Sequence, residues 1–195
     1  MIIGLTGSSG SGKSTVASMF RDSGYHIVDC DKISKAIDDN DTYKKKIRES
    51  FGDEVFIDGK ISRRALGRIV FSDKEKLDLL SSISHPIIRS MVMDDVENHR
   101  DLGDVVIDAP LLFESGLDSV CDTTIGVIAS DDIRISRVAK RDDLEYDEAK
   151  KRISAQQSID FYRNKCIIII ENNGDVKALS EKLKSVMKDI ESKKG

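Results

Sequence analysis

Apolar residues fall in short runs along this chain, and the stretches between them carry a different rhythm. After an opening run at 2–6, Ile2-Ile3-Gly4-Leu5-Thr6, strand-sized runs return at 25–29, 104–108, 123–128 and 166–170. The intervening segments place apolar residues three and four positions apart, the period of a helix face. Strands alternating with such segments predict βαβ units and a mostly parallel five-stranded sheet, an α/β fold in three layers. Between the second and third runs, Asp31 to Arg100 is helical in pattern and far longer than one crossover needs, so 31–100 is expected to be a helical insertion. After Ser130, Ile133, Arg137 and Arg141 recur at i, i+4 and i+8 and share a face, and Leu144 to Gln157 offers another helix. Val176, Leu179, Leu183 and Val186 with Met187 mark a last helix between Gly174 and Ile190, with Ser192 to Gly195 as a frayed end. One domain, 1–195, is expected, its core drawn from 1–30, 101–130 and 160–195.

Composition narrows the class. At 39% hydrophobic and 34% charged, the chain reads as a soluble globular protein, and no run approaches the ~20 apolar residues of a membrane span. An N-terminus that enters a strand directly, with no charged leader, points to the cytoplasm and not to secretion. With 31 basic and 35 acidic residues the net charge is −4, which gives no pull toward nucleic acid, and Lys44-Lys45-Lys46 reads as a solvated helix face. Cys30, Cys121 and Cys166 lack C-x-x-C spacing, and His26, His85 and His99 form no metal-ligand motif.

The chemistry begins at Gly7-Ser8-Ser9-Gly10-Ser11-Gly12-Lys13-Ser14, a full G-x-x-x-x-G-K-[ST] pattern directly after the first strand. Glycines let the backbone curl around an anion with its N–H groups inward, and the helix that starts here adds its positive dipole end. The loop from Gly7 to Ser14, with the N–H groups near Gly12 to Thr15, is thus a candidate site for a nucleoside triphosphate. Lys13 would reach the β- and γ-phosphates, and Ser14 would offer its hydroxyl to Mg²⁺.

Other candidates lie where the carboxyl ends of parallel strands face a ligand crevice. Val28-Asp29-Cys30-Asp31 brings two carboxylates there; each fits a Mg²⁺-water ligand, a base for an acceptor hydroxyl, or a helix cap. Val105-Val106-Ile107-Asp108 ends a strand in a carboxylate, the loose pattern of a second metal element or of an ordinary turn. Leu111, Leu112 and Phe113 before Glu114 fit either an apolar substrate arm or plain core. Arg137, Arg141 and Arg152 fit either a lid that brings positive charge to a transferring phosphoryl group or an exposed helix face. In Glu171-Asn172-Asn173-Gly174 an Asn side chain is placed to meet a base, though the segment also reads as a simple turn.

Taken in order, these blocks resemble the dephospho-coenzyme A kinase family of P-loop kinases. The carriers are Gly4 to Thr15, Asp29-Cys30-Asp31, Gly59 with Arg63 to Phe71, His85-Pro86, Asp108 to Glu114, Arg137, Arg141 and Ile153-Ser154-Ala155-Gln156. The resemblance covers nearly the whole chain. It implies a P-loop NTPase fold, ATP with Mg²⁺, and transfer of phosphate to the ribose 3′-hydroxyl of dephospho-coenzyme A, a small-molecule substrate. It further implies that 31–100 helps bind the acceptor, that 131–159 is a lid, and that Asp31 activates the acceptor. By the same resemblance Gly10, Ser11, Gly12, Lys13, Ser14 and Thr15 bind ATP, Thr6, Arg64, His85, Asp108 and Leu111 to Glu114 belong to the substrate side, and Asn172 with Gly174 to the adenine side. Catalysis would rest on Asp31, Lys13, Arg137 and Arg141, with Asp29, Asp31 or Asp108 meeting the metal through water.

Ser62 and Ile167 stand where the family often has Asp, so local contacts are expected to differ there. Other P-loop small-molecule kinases, for nucleosides or sugar acids, share the core and differ in the acceptor pocket. A GTP-dependent switch would need an N-K-x-D segment, which the sequence lacks, and the intact Lys13, Ser14 and Asp31 argue against a regulator without catalysis.

Overall fold

The computed structural model describes residues 1–192; residues 193–195, expected to belong to a frayed end, lie outside the described residues. In chain order the elements are β1 (Ile2–Thr6), α1 (Lys13–Asp22), β2 (His26–Asp29), α2 (Cys30–Ala36), α3 (Asp41–Phe51), β3 (Phe56–Ile57), β4 (Lys60–Ile61), α4 (Arg63–Val70) and α5 (Lys74–His99). There follow β5 (Val105–Asp108), β6 (Thr123–Ile128), α6 (Asp131–Asp142), α7 (Tyr146–Ser154), α8 (Ile159–Lys165), β7 (Ile168–Glu171) and α9 (Val176–Ser192).

Five strands form one sheet in the order β2-β5-β1-β6-β7, and β1 pairs parallel with β5 and with β6, as β6 does with β7. Every residue of β6 is buried, as expected of a strand covered on both faces, which reads as a continuous apolar run. On one face Ile3 and Leu5 of β1 and Ile125 and Val127 of β6 pack with Val16 and Phe20 of α1 and Leu179 and Leu183 of α9. The other face of β1 is occupied differently: a Cβ on Gly4 would stand 2.7 Å from Leu112 Cδ2 and 2.9 Å from Cys121 Sγ. Register matters for the chemistry, because Leu5 lies opposite Asp108 and brings that carboxylate level with the exit of β1. Among the described residues no helix is long and apolar enough to cross a membrane.

The chain divides into two compact units, one made of Met1–Val28 with everything from His99 onward, the other of Asp29–Asn98. The second unit has its own core, with Tyr43, Ile47 and Phe51 of α3, Leu66 and Val70 of α4 and Ile83 of α5 packed with Val55 and Ile61. It also holds a feature missing from the sequence-based expectation, the antiparallel hairpin β3–β4. Its signal was present: Asp58-Gly59 between apolar residues is a two-residue hairpin loop, and both residues take the positive φ, 50° and 74°, that such turns demand.

The strands at 2–6 and 123–128 fall where the apolar runs placed them, and those at 26–29 and 105–108 differ by one residue. The last strand starts later than the run at 166–170, because Ile167 is 66% exposed and lies before the ladder begins. Helix α8 was not anticipated; it is one short segment capped by Ser158, whose side chain accepts from Phe161 N.

Candidate active site

From Thr6, at the end of β1, the chain passes through the loop at 7–12 into α1. Gly7, Gly10 and Gly12 have φ of +152°, +78° and +97°, a region that disfavours side chains. The outer side of the loop enforces the same choice. A Cβ on Gly7 would lie 2.4 Å from Val127 O, one on Gly10 2.7 Å from Arg134 O, and one on Gly12 2.3 Å from Asn172 Nδ2. Gly12 is the N-cap of α1 and supplies no side-chain cap, and while Thr15 N donates to Gly12 O at 3.0 Å, the Lys13 and Ser14 N–H groups are left available to an anion.

Lys13 Nζ is ion-paired with Asp108 Oδ1, both side chains being mostly buried. Ser14 is exposed on the first turn of α1, while Ser11 is fully buried and its Oγ has no hydrogen-bond partner among the described residues. Thr6 is buried as well, its Oγ1 donating to Pro110 O at 3.3 Å.

Several residues expected at the ligand instead grip the loop from outside. Asn172 is buried and its Nδ2 donates to Ser11 O at 2.8 Å, so this side chain is not free to read a base, contrary to the expectation from sequence. Arg137 Nη1 donates to Gly10 O and to Asn172 O, each at 3.1 Å, and Nη2 to Gly174 O at 3.3 Å. These acceptors are carbonyls, so Arg137 holds the loop's frame where a catalytic lid arginine was expected. Arg134, which the sequence did not single out, is 2% exposed. It donates to Ser9 O (3.1 Å), Asp131 Oδ1 (2.8 Å) and Gln156 Oε1 (3.0 Å). A buried guanidinium with a partner at each of its three nitrogens has its desolvation offset by hydrogen bonds.

The hairpin α6–α7 has a small core of Ile135, Val138, Ala149 and Ile153. At its outer part Arg141 and Arg152 converge on Asp142, at 2.7 Å and 2.6 Å. The Arg141 bond holds the Asp142 carboxyl below its ordinary value, and the same contact raises Arg141. Arg141 is more than half exposed, so the sequence-predicted lid cation is present at the surface and engaged within its own hairpin.

After β5, the apolar triplet splits. Leu112 is fully buried against Gly4, which corrects its expected place at the substrate: it is core. Leu111 is 58% exposed, and Phe113 packs edge to face on Phe161 at 5.8 Å. Glu114 accepts from Gln157 Nε2 at 3.1 Å. A paired substitution separates the roles. Leu112→Ala is expected to cost about 2–5 kcal/mol of stability, seen as a lower melting temperature, whereas Leu111→Ala should leave melting nearly unchanged and raise the KM of the acceptor.

In the second unit the two carboxylates at the end of β2 also part ways. Asp29 caps α2, accepting from Lys32 N at 3.0 Å, whereas Asp31 sits exposed in the first turn of that helix with no ion pair among the described residues. Arg64 of α4 is exposed and lines, with Arg63, Arg68 and Phe71, a cavity of about 480 Å³. Arg63 is tied down by Asp38 at 2.5 Å, and His85 is exposed on α5.

His26 and His99, which carry no sequence motif, stack ring on ring with centroids 3.5 Å apart. Among the described residues no disulfide joins the cysteines. Burial, aided by Asp118 and Asp122, pushes Cys121 up to about 12, and burial alone pushes Cys166 up to about 11. Since the thiolate is the reactive form, neither should be alkylated by iodoacetamide at pH 8 until the protein unfolds; mass spectrometry of native and denatured samples checks this.

With this geometry in view, the chain can be set beside known proteins. The family model for dephospho-CoA kinase matches residues 1–178. A dephospho-CoA kinase from Bacillus licheniformis is 40% identical over 191 residues, which cover 96% of this chain and 95% of that one. The crystal structure of TT1252 from Thermus thermophilus superposes with a TM-score of 0.82 at 34% identity, covering 97% of each chain. The dephospho-CoA kinase from Campylobacter jejuni superposes with a TM-score of 0.74 at 27% identity, over 100% of this chain and 98% of that one. The glycine loop, the Lys13–Asp108 pair at the carboxyl edge of a parallel sheet and these likenesses agree: the chain belongs to the dephospho-CoA kinase family.

Proposed function

We propose that this protein transfers the γ-phosphoryl group of ATP to the ribose 3′-hydroxyl of dephospho-coenzyme A, giving coenzyme A and ADP. The observation that carries the donor half is the loop at 7–14, with uncapped N–H groups at the start of α1 and Lys13 beside it at Asp108. The acceptor half rests on family membership.

Catalysis in such a reaction is mostly positioning and charge neutralisation. The N–H groups of Gly10, Gly12, Lys13 and Ser14 hold the phosphates, those of Ser11 and Thr15 being bonded to Ser8 O and Gly12 O, and Lys13 meets the β- and γ-phosphate oxygens. Asp31 orients the acceptor hydroxyl and takes its proton as the new O–P bond forms and the bond to the ADP oxygen breaks. Asp29 is the weaker candidate for that base because its carboxylate already caps α2. Arg141, exposed on the hairpin, is the cation that brings further positive charge to the phosphates, exchanging its Asp142 partner for them. The oxygen donors present, the exposed Ser14 hydroxyl and the Asp108 carboxylate next to Lys13, suit Mg²⁺, a hard cation that prefers oxygen. When bound, Mg²⁺ neutralises phosphate charge. Gly174 at the exit of β7 lies on the adenine side, its carbonyl fixed by Arg137. In the insertion, Arg64 and His85 serve the acceptor, with the exposed Leu111 as an apolar contact.

For Arg141→Ala, kcat should fall about tenfold to a hundredfold with a smaller change in acceptor KM; a pure KM defect would place Arg141 in ground-state binding. The substrate assignment is tested by a phosphorylation screen of dephospho-coenzyme A against nucleosides and shikimate. Turnover confined to the first is expected, and turnover of a nucleoside alone would move the protein to another branch of P-loop kinases.

A further inference from the structure

A phosphate loop works through the directions of its N–H groups, and a loop containing three glycines does not hold those directions by itself. Here three consecutive carbonyls of the loop are each held from outside by a different side chain. Arg134 Nε donates to Ser9 O at 3.1 Å, Arg137 Nη1 to Gly10 O at 3.1 Å, and Asn172 Nδ2 to Ser11 O at 2.8 Å. A peptide group is planar and trans, so its C=O and the N–H of the next residue point in opposite directions. Fixing the Ser9 carbonyl therefore aims the Gly10 N–H, and fixing the Ser11 carbonyl aims the Gly12 N–H, both away from the holding side chains and toward the loop's interior. The Gly10 carbonyl is the intermediate case; the Ser11 N–H that follows it closes a turn inside the loop on Ser8 O at 3.1 Å.

We propose that Arg134, Arg137 and Asn172 are positioning residues of the phosphoryl-donor site, acting on the triphosphate only through the loop carbonyls they hold. The proposal rests on reading this loop as the triphosphate site. Gln156 belongs to the same device: its Oε1 accepts from Ser9 N and from Arg134 Nη2, both at 3.0 Å, and its Nε2 donates to Ser9 Oγ at 2.9 Å. Ser9 is thus held at its N–H, its carbonyl and its hydroxyl. Arg134 lies in α6 and Gln156 just beyond α7, so both feet of the hairpin close on one loop residue, and the hairpin is fastened to the donor site at its root. The close approach of α6 is visible at Gly10, where a Cβ would stand 2.9 Å from Arg134 Cα. Arginine suits this duty because its rigid fork addresses several acceptors at once. It also explains the burial of Arg134, whose charge contributes to no surface.

The test uses the full chain and reads ADP and dephospho-coenzyme A binding separately by calorimetry, alongside melting temperature. Asn172→Leu keeps the shape and removes the donor without adding charge; Arg137→Met and Arg134→Met keep bulk and remove the donors. Each is expected to weaken ADP binding about tenfold or more while dephospho-coenzyme A binding stays within about twofold, a loss of roughly one hydrogen-bond network member. Arg137→Lys, which retains a single donor, should recover part of the loss. Pairing Arg134→Met with Gln156→Ala should cost less than the sum of the two, since both act through Ser9. ADP binding within twofold of wild type in folded Asn172→Leu and Arg137→Met would overturn the proposal, as would equal losses for both ligands. Should Arg134→Met fail to fold, the other two variants decide. Wild-type protein that binds ADP but does not phosphorylate dephospho-coenzyme A would defeat the acceptor assignment and leave these roles standing.

Discussion

Asp31→Asn is expected to reduce kcat by on the order of 1,000-fold while ADP binding stays within about twofold. Asn is isosteric and keeps a carbonyl oxygen that can orient the acceptor hydroxyl, but it cannot take the proton, so the loss appears in turnover and not in donor affinity. The structure makes this a clean substitution. Asp31 is exposed, forms no ion pair among the described residues and is not the cap of α2, so the change should leave melting unaltered. Asp29→Asn provides the contrast: Asn is itself a good cap, so little change is expected in stability or rate. Steady-state kinetics of the two variants decide, and a rate loss in Asp29→Asn with none in Asp31→Asn would exchange their roles.

Lys13→Ala should lower kcat/KM for ATP by on the order of 1,000-fold or more, with losses in both donor affinity and kcat. The reason is local charge. Lys13 is a cation paired with Asp108 in a mostly buried position, and without it the triphosphate would approach that carboxylate with one positive charge fewer between them. Two effects then act together, the loss of attraction to the β- and γ-phosphates and a stronger repulsion from Asp108. A Lys13→Ala, Asp108→Asn double variant should regain part of the ADP affinity but not the turnover, because only the repulsion has been removed. Calorimetric titration of both variants separates the two contributions, and a double variant no better than Lys13→Ala would show that repulsion is unimportant.

Much of this was legible in the chain, and the reasons differ by element. The loop at 7–14 and the parallel strands are encoded locally, in glycine spacing and apolar runs, and such signals survive without tertiary information. Arg134 escaped because a charged residue on a helix reads as exposed; its burial follows from Ser9 and Gln156, which lie far away in sequence. Asn172 and Arg137 read in the sequence as polar groups near a ligand, yet sequence does not reveal whether a donor faces a base or a carbonyl. Leu112 was ambiguous for a related reason, since two neighbours of equal hydrophobicity can face opposite ways, and only the bare Gly4 beneath it shows which one is core. The choice between Asp29 and Asp31 as helix cap was likewise settled by backbone geometry, with Asp29 in extended conformation before α2.

The glycines illustrate how one residue answers two demands. Seen from the ligand, Gly10 and Gly12 let the backbone approach an anion. Seen from the protein, they admit Arg134 and Asn172 to within a distance that no Cβ would permit. The second demand is what fixes the loop's shape before any ligand arrives, and preorganisation of this kind is where enzymes gain most of their electrostatic advantage.

ATP held at this loop donates its γ-phosphoryl group to dephospho-coenzyme A. The most direct measurement couples ADP release to product analysis, with ATP and dephospho-coenzyme A as the only substrates. One ADP released for each coenzyme A formed, with the new phosphate on the ribose 3′-oxygen, is the predicted result. ADP release without coenzyme A, or phosphate at another position, would contradict it.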